Sequence, residues 1–450
     1  MRRRALDPRR EEAWRPYRPN QDGGWGLGEA AHLHRRAGFL AGWEELRRDA
    51  SEGPEAAVAR VLAGGERSLD GLSAAEFERD QDALATQAAS SGQLRLLQAA
   101  WLHRMIHTPW PLRERMTLFW HDHFATSQAK VNNLSLMARQ NTTLREHALG
   151  RFGPMLKAIG RDPAMLIWLD ATSSRKARPN ENYAREVMEL FTLGRGHYTE
   201  ADIREAARAF TGRFVEGDST REVATQHDAG VKTVLGRSGQ FDGDAVADVL
   251  LEQPACATFL AAKLASHFVD GTREWGDEDV APLAARLRET AYDVSDAVGM
   301  ILRSRLFFDT GTRRKRIKEP VELAVGAIRA LEVVRPTVST RALAEACERM
   351  GQSLFQPPNV AGWPGGEAWL TTTALVARAN FAAALVAGEG DLGRGVDVEA
   401  LASRHGAETA ERRRRFLAEL LLGEETSPAT PGDAKAEAVA LLASPEFQVA

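Results

Sequence analysis

From residue 180 to 194 the chain reads Asn-Glu-Asn-Tyr-Ala-Arg-Glu-Val-Met-Glu-Leu-Phe-Thr-Leu-Gly. Its polar and apolar residues separate only if the backbone turns by about 100° per residue. Wound in that way, Asn182, Arg185, Glu186 and Glu189 share one stripe, while Tyr183, Val187, Leu190 and Phe191 occupy the opposite side. A strand would mix the two sets on both faces. The segment is therefore predicted to be a helix whose apolar side needs a partner, and the same period recurs through most of the chain. Residues 54–63 and 93–107 carry it, with Ala, Leu, Gln and Arg between the apolar positions. Pro109 and Pro111 then interrupt it, and Pro111 suits the first turn of a new helix reaching about Phe124. Further helices are expected at 131–149, 163–169, 181–193, 199–210, 244–305, 318–334, 340–350 and 371–386, with two more in the tail. Thr199 followed by Asp202 has the spacing of a capping box.

The texture changes between 212 and 243. Phe214-Val215, Val223-Ala224 and Val231-Lys-Thr-Val-Leu235 alternate with Gly, Asp and Ser clusters, as short strands or hairpins do. The expected fold class is mainly α, a large multi-helix bundle with a small β-hairpin or flap insertion near 212–243. The organisation read from composition is an N-terminal extension (1–24), a helical region (25–211), the β-like insertion, a second helical region (244–387) with a Pro- and Trp-containing loop at 356–366, and a linker with C-terminal helices (388–450).

Charge narrows the function classes. The 450 residues hold 62 acidic and 58 basic side chains, for a net charge of −4. That balance provides no global field for nucleic acid, so no nucleic-acid partner is expected. Arginines near the N-terminus have no apolar stretch behind them, so neither a signal peptide nor a twin-arginine signal is predicted. No uncharged run approaches a membrane span. Cytoplasmic residence is the default expectation, and export alongside a partner would leave no trace in this sequence. Cys256 and Cys347 have no metal or disulfide spacing and read as small buried hydrophobes. Phosphate-loop, dinucleotide-fingerprint, H-E-x-x-H and nucleophile-elbow patterns are missing, which disfavours nucleotide-driven and serine-hydrolase functions.

Several stretches carry a resemblance. They are His32-Leu-His-Arg-Arg-Ala-Gly-Phe39, Leu118-Phe-Trp-His-Asp-His-Phe-Ala-Thr-Ser127, the 180–194 helix, Tyr198-Thr-Glu200 and Ala207-Arg-Ala-Phe-Thr-Gly212. His227-Asp-Ala-Gly-Val-Lys-Thr-Val-Leu-Gly236 and Gln356-Pro-Pro-Asn-Val-Ala-Gly-Trp-Pro-Gly-Gly366 complete the set. In this order they resemble the bacterial "domain of unknown function 1800" family, over the chain from about Trp25 to its end. The resemblance implies a helical protein, often encoded beside a protein similar to the alkaline phosphatase and sulfatase group, and it implies no particular reaction. Arg213 stands where the resemblance leads one to expect tryptophan.

Chemistry is sought first on the polar stripe. Carboxylates one turn apart, Glu186 and Glu189, raise one another's pKa if they face a pocket, and then serve as acid and base or hold a cation. Facing water, they are instead a solvated ladder of ion pairs with Arg185, and with Arg204, Glu205 and Arg208 close by they form a structural ion lattice. His121 and His123 share a metal only if the chain is extended there. On a helix they point about 200° apart, leaving His123 as a core histidine. His227-Asp228 is either a ligand or general-base pair, or turn chemistry in which Asp bonds to the backbone two residues on. Asn359 and Trp363 sit in a proline-rich loop suited to stacking on a sugar or to packing on the domain it crosses. His197 and His267 read as incidental.

Two functional readings follow. In one the protein is a hydrolase-like enzyme, carboxylate-based or assisted by a divalent metal. Glu186, Glu189, His123, His227 and Asp228 are its catalytic set, and Asn182, Arg185, Arg208, Asn359 and Trp363 bind substrate. In the other it is a non-catalytic binding or assembly partner of the phosphatase- or sulfatase-like neighbour, or recognises carbohydrate through Trp363.

Overall fold

The computed structural model describes residues 8–333, 338–388, 390–424 and 432–450. Residues 2–4 with their arginines, the end of the helix predicted at 318–334, and residue 389 of the predicted linker lie outside them. Twenty-five α-helices and two antiparallel two-stranded sheets occur among the described residues, which makes the fold mainly α as expected. The elements that frame the site are helices α1 (Leu27–Ala37), α2 (Pro111–His123), α3 (Glu181–Glu186), α4 (Glu200–Ala209), α5 (Pro254–Phe268) and α6 (Pro320–Ala330).

Local signals act where they were read. Pro111 opens α2, and Thr199 with Asp202 forms a capping box at the start of α4, the two residues bonding each other's backbone N–H at 3.2 and 2.9 Å. The β segment folds as two hairpins, β1 (Arg213–Glu216) with β2 (Ser219–Glu222) and β3 (Lys232–Val234) with β4 (Arg237–Gly239). Ala224, expected in a strand, begins a short helical turn instead. Both cysteines are buried and free. No single helix among the described residues is long and apolar enough to cross a membrane.

The buried apolar residues form two cores, and both draw on the same helices. Ala31 of α1 and Leu118 of α2 belong to one, with Trp101, Phe355, Phe416 and Leu442. Leu33 and Ala37 of α1 and Met116 and Trp120 of α2 belong to the other, with Tyr183, Phe191, Leu264 and Phe268. Each fully buried Leu, Met or Phe contributes about 1.5–3 kcal/mol. With apolar contacts on both sides, α1 and α2 form a wall between the cores, and polar residues on that wall become buried wherever a third helix closes over them.

The helix predicted at 181–193 departs from uniform winding. From Val187 to Thr192 it widens, so that the Leu193 N–H bonds to Met188 O at 2.8 Å, five residues back, and Thr192 Oγ1 donates to Val187 O at 2.6 Å. Tyr183, Ala184, Val187, Met188 and Phe191 remain the buried side.

A candidate acid–base cleft between α2 and α5

The polar stripe of the 180–194 helix is largely committed to ion pairs. Arg185 donates both terminal nitrogens to Glu200 at 2.8 Å. Glu189 accepts from Arg195 at 2.7 Å and from the Tyr198 hydroxyl, and these donors hold it below the usual carboxylate range. Glu186 has no hydrogen-bond partner among the described residues, and burial with the neighbouring Glu189 charge raises its pKa. Asn182 donates to Leu169 O at 3.1 Å, anchoring the helix start. Arg208 bonds Asp228 at 2.8 Å and Glu205 at 2.8 Å, and Asp228 is held down at about 2 by that guanidinium. Asp228 also caps the Gly230 N–H at 2.9 Å, two residues on, while His227 Nδ1 lies 3.0 Å from Thr211 O. Arg213 donates to Gly160 O at 2.9 Å and reaches Glu222 and Asp244 at 3.2 and 3.3 Å, so charge pairing fills the place expected for tryptophan.

The His-x-His pair separates by helical phase. Since α2 continues to His123, His121 Nε2 accepts the Phe355 N–H at 3.1 Å on one side, and His123 Nε2 lies 3.1 Å from Phe191 O on the other. His123 stands among Phe119, Trp120, Phe124, Phe152, Phe191 and Phe259, and burial holds it well below its ordinary pKa and therefore neutral. It meets the 180–194 helix on its apolar side, and among the described residues no hydrogen bond or ion pair joins it, His227 or Asp228 to Glu186 or Glu189.

Between the two histidines, Asp122 points elsewhere. Its Oδ1 accepts the backbone N–H of Trp363 at 2.8 Å, so the 356–366 loop closes directly on α2. The fit requires Gly362, which has φ +85°. A Cβ there would lie 2.2 Å from Asp122 Oδ1 and 2.7 Å from its backbone oxygen. Asn359 is occupied in its own turn, accepting the Ala361 N–H at 2.8 Å. The Trp363 ring is 9% exposed and lies 5.7 Å from the His121 ring.

Opposite Asp122 runs α5. Arg115, Phe119 and Asp122 lie at spacings of four and three on α2, and Phe259, Lys263 and His267 at spacings of four on α5, so each set forms one stripe. The two stripes meet in opposite directions: Arg115 Nε donates to His267 Nε2 at 3.1 Å, Phe119 packs on the His267 ring at 5.0 Å, and Phe259 approaches His123 at 6.3 Å. Phe119, Asp122, Phe259, Lys263 and His267 all keep partial exposure, as does Glu319 at the entry to α6, so the seam is a narrow cleft. Burial and the Glu319 charge push the Asp122 carboxyl up to about 7, against the Trp363 N–H and Lys263. Burial lowers Lys263, against the pull of Asp122. The Lys263 ammonium, 5.3 Å over the Phe259 ring, has no hydrogen-bond partner among the described residues. His267, read as incidental, thus belongs to the cleft. Asp122 and Lys263 carry no sequence signal of their own, because the environment of each is made by the other helix.

Two hollows lie elsewhere along these helices. One of about 540 Å³, bounded by Gly194, His197, Phe259 and Ala262, adjoins the outer end of α5 and the end of the 180–194 helix. Another of about 530 Å³ is lined by His34, Arg48, Arg60, Arg67 and Arg329, with His34 Nε2 2.7 Å from Asp49. Among the described residues no group of three or more His, Cys, Asp or Glu is placed to hold a metal ion.

Comparison with known proteins returns one family model, described as a protein of unknown function (DUF1800), matching residues 32–449. Neither a curated protein nor a solved structure matches the chain. The match covers nearly the whole chain, and the protein belongs to the DUF1800 family.

Proposed function

We propose that this protein is an enzyme that performs acid–base chemistry, of the hydrolase type, in the cleft between α2 and α5. The observation that carries the reading is Asp122, a partly exposed carboxyl with no ion-pair partner, raised to about 7 and facing a partly buried, unpaired lysine. At neutral pH comparable fractions of Asp122 are protonated and ionised, so it serves as proton donor or acceptor with little driving-force penalty. Lys263 stabilises negative charge developing beside it, and the Trp363 N–H keeps the carboxyl aimed across the cleft. Paired titratable groups whose surroundings push them from their ordinary values are what such chemistry needs.

The test is a screen of the purified chain against chromogenic carboxylic, phosphate and sulfate esters and glycosides, repeated with Asp122→Asn, Lys263→Met and Glu186→Gln. Activity lost in the first two and kept in the third supports the cleft. Activity indifferent to Asp122→Asn removes it.

A second reading keeps the 180–194 helix as the centre. Glu186 favours it, being raised, without a hydrogen-bond partner, and next to the widened turn, a feature that recurs at functional sites. Loss of the same activity in Glu186→Gln alone selects this reading.

A further inference from the structure

The inner end of the cleft is built from cations. Arg115, fully buried on α2, brings Nη2 to 3.1 Å from Glu322 Oε2 in addition to its bond to His267. Arg316, 8% exposed, bonds the same Glu322 oxygen and lies 3.4 Å from Glu319. Arg36 of α1, also fully buried, ends on the backbone oxygens of Val269 and Thr312 at 2.7 and 3.2 Å. Three buried guanidinium groups thus surround a single fully buried carboxylate.

Their hydrogen bonds are incomplete. Arg36 Nε and Nη1, Arg115 Nη1 and Arg316 Nε are buried donors with no hydrogen-bond partner, Arg115 Nη2 has only its ion pair with Glu322, and Glu322 Oε1 is a buried acceptor with none. The neighbouring α2 residue shows the contrast: Glu114 accepts from Arg145 at 2.6 and 3.2 Å and from Trp101 at 3.0 Å, so both its oxygens are satisfied. Natural interiors rarely leave charged donors unpaired, and an unpaired buried charge is costly. His267 supplies no compensating charge. Accepting from Arg115 at Nε2 requires the neutral ring, which leaves its Nδ1–H as one more donor beside Lys263.

We propose that these groups bind the oxyanion end of a ligand, a phosphate, sulfate or carboxylate, entering through the α2/α5 cleft. Arg115 Nη1 has no partner and Nη2 only shares Glu322 Oε2 with Arg316, so the two terminal nitrogens side by side match the two oxygens of such a group. Arg36 and Arg316 neutralise its charge, and the His267 Nδ1–H and Lys263 meet it from the mouth. Arg115 lies two helical turns from Asp122 on the same face, so an anion held there places the rest of a small ligand against the carboxyl. The inference takes from the proposed function only that this cleft is the site, and it gives the substrate class as anionic.

The experiment is titration calorimetry of the full chain with sodium phosphate, sulfate and acetate, against chloride at matched ionic strength. Saturable uptake of one oxyanion per chain is expected. It should be retained in Asp122→Asn and weakened at least tenfold in Arg115→Gln and in Lys263→Met. The lysine, partly exposed at the mouth, keeps the test usable if the arginine variant fails to fold. Absence of saturable binding by all three anions overturns the proposal, as does unchanged affinity in Lys263→Met. Since Asp122→Asn removes the acid–base role and leaves every proposed anion contact intact, the two ideas fail separately: saturable oxyanion binding by a parent chain that is inert toward every ester and glycoside upholds this inference alone, and a parent chain whose activity is lost in Asp122→Asn but that takes up no oxyanion overturns it alone.

Discussion

Replacing Asp122 by asparagine separates the charge of this carboxyl from its shape. Asparagine keeps an oxygen to accept the Trp363 N–H and loses only the capacity to ionise. Burial, reinforced by Glu319, raises the carboxyl from 3.8 in the unfolded chain to about 7 in the folded one. The folded state therefore holds the proton more tightly. The stability this provides is fully present below about pH 4 and is lost as pH rises through 7, because the folded chain must then carry an unfavourable buried charge. At about 1.4 kcal/mol per pH unit across that interval, the deficit above pH 7 is about 4 kcal/mol, an upper bound because the carboxyl keeps some contact with water. For a chain of this length, unfolding entropy of about 2.1 cal/mol/K per residue turns that into about 4 °C in Tm. Thermal unfolding of parent and Asp122→Asn across the pH range should give curves that coincide near about pH 4 and separate above neutrality, with the variant more stable. A variant no more stable than the parent at about pH 8.5, or one with the same advantage at about pH 4, would refute the burial argument and the acid–base reading built on it.

Gly362→Ala forces a Cβ onto the Asp122 backbone and carboxyl at a positive φ, and should cost about 2–4 kcal/mol in denaturant unfolding. Arg213→Ala leaves Gly160 O, Asp244 and Glu222 without their shared donor and should cost about 1–3 kcal/mol by the same measurement. Glu200→Gln breaks the exposed bidentate pair with Arg185 and should leave the thermal midpoint unchanged within error, whereas a large loss would show that the stripe is structural cement. Glu186 is raised, so its ionised form is the strained one. Glu186→Gln should match the parent in acid and be no less stable above neutrality, as thermal unfolding against pH will show.

Periodicity made the helices legible, because an apolar residue every three or four positions has no other low-energy arrangement. Pro111, Thr199 and Asp202 marked helix starts through bonds that reach at most a few residues. The divergence of His121 and His123 followed from helical phase alone. The widened turn at Val187–Thr192 has no signature in the local pattern, and its Phe191 packs against His123 and Phe124 from a distant part of the chain. The ion pairs of Glu189 with Arg195 and Tyr198 could be formed by neighbours in sequence, but whether the stripe faced water or a pocket could not be read from them. Asp122, between two histidines, carries no signal for the same reason. Lys263, Glu319 and the Trp363 N–H come from distant parts of the chain, and only their convergence creates the low-dielectric cleft that shifts a carboxyl to about 7. The sequence by itself determined which segments wind into helices and which faces they must bury. Only the tertiary structure decided which charges were left together in the dark, because desolvation and Coulomb energy depend on separation in space.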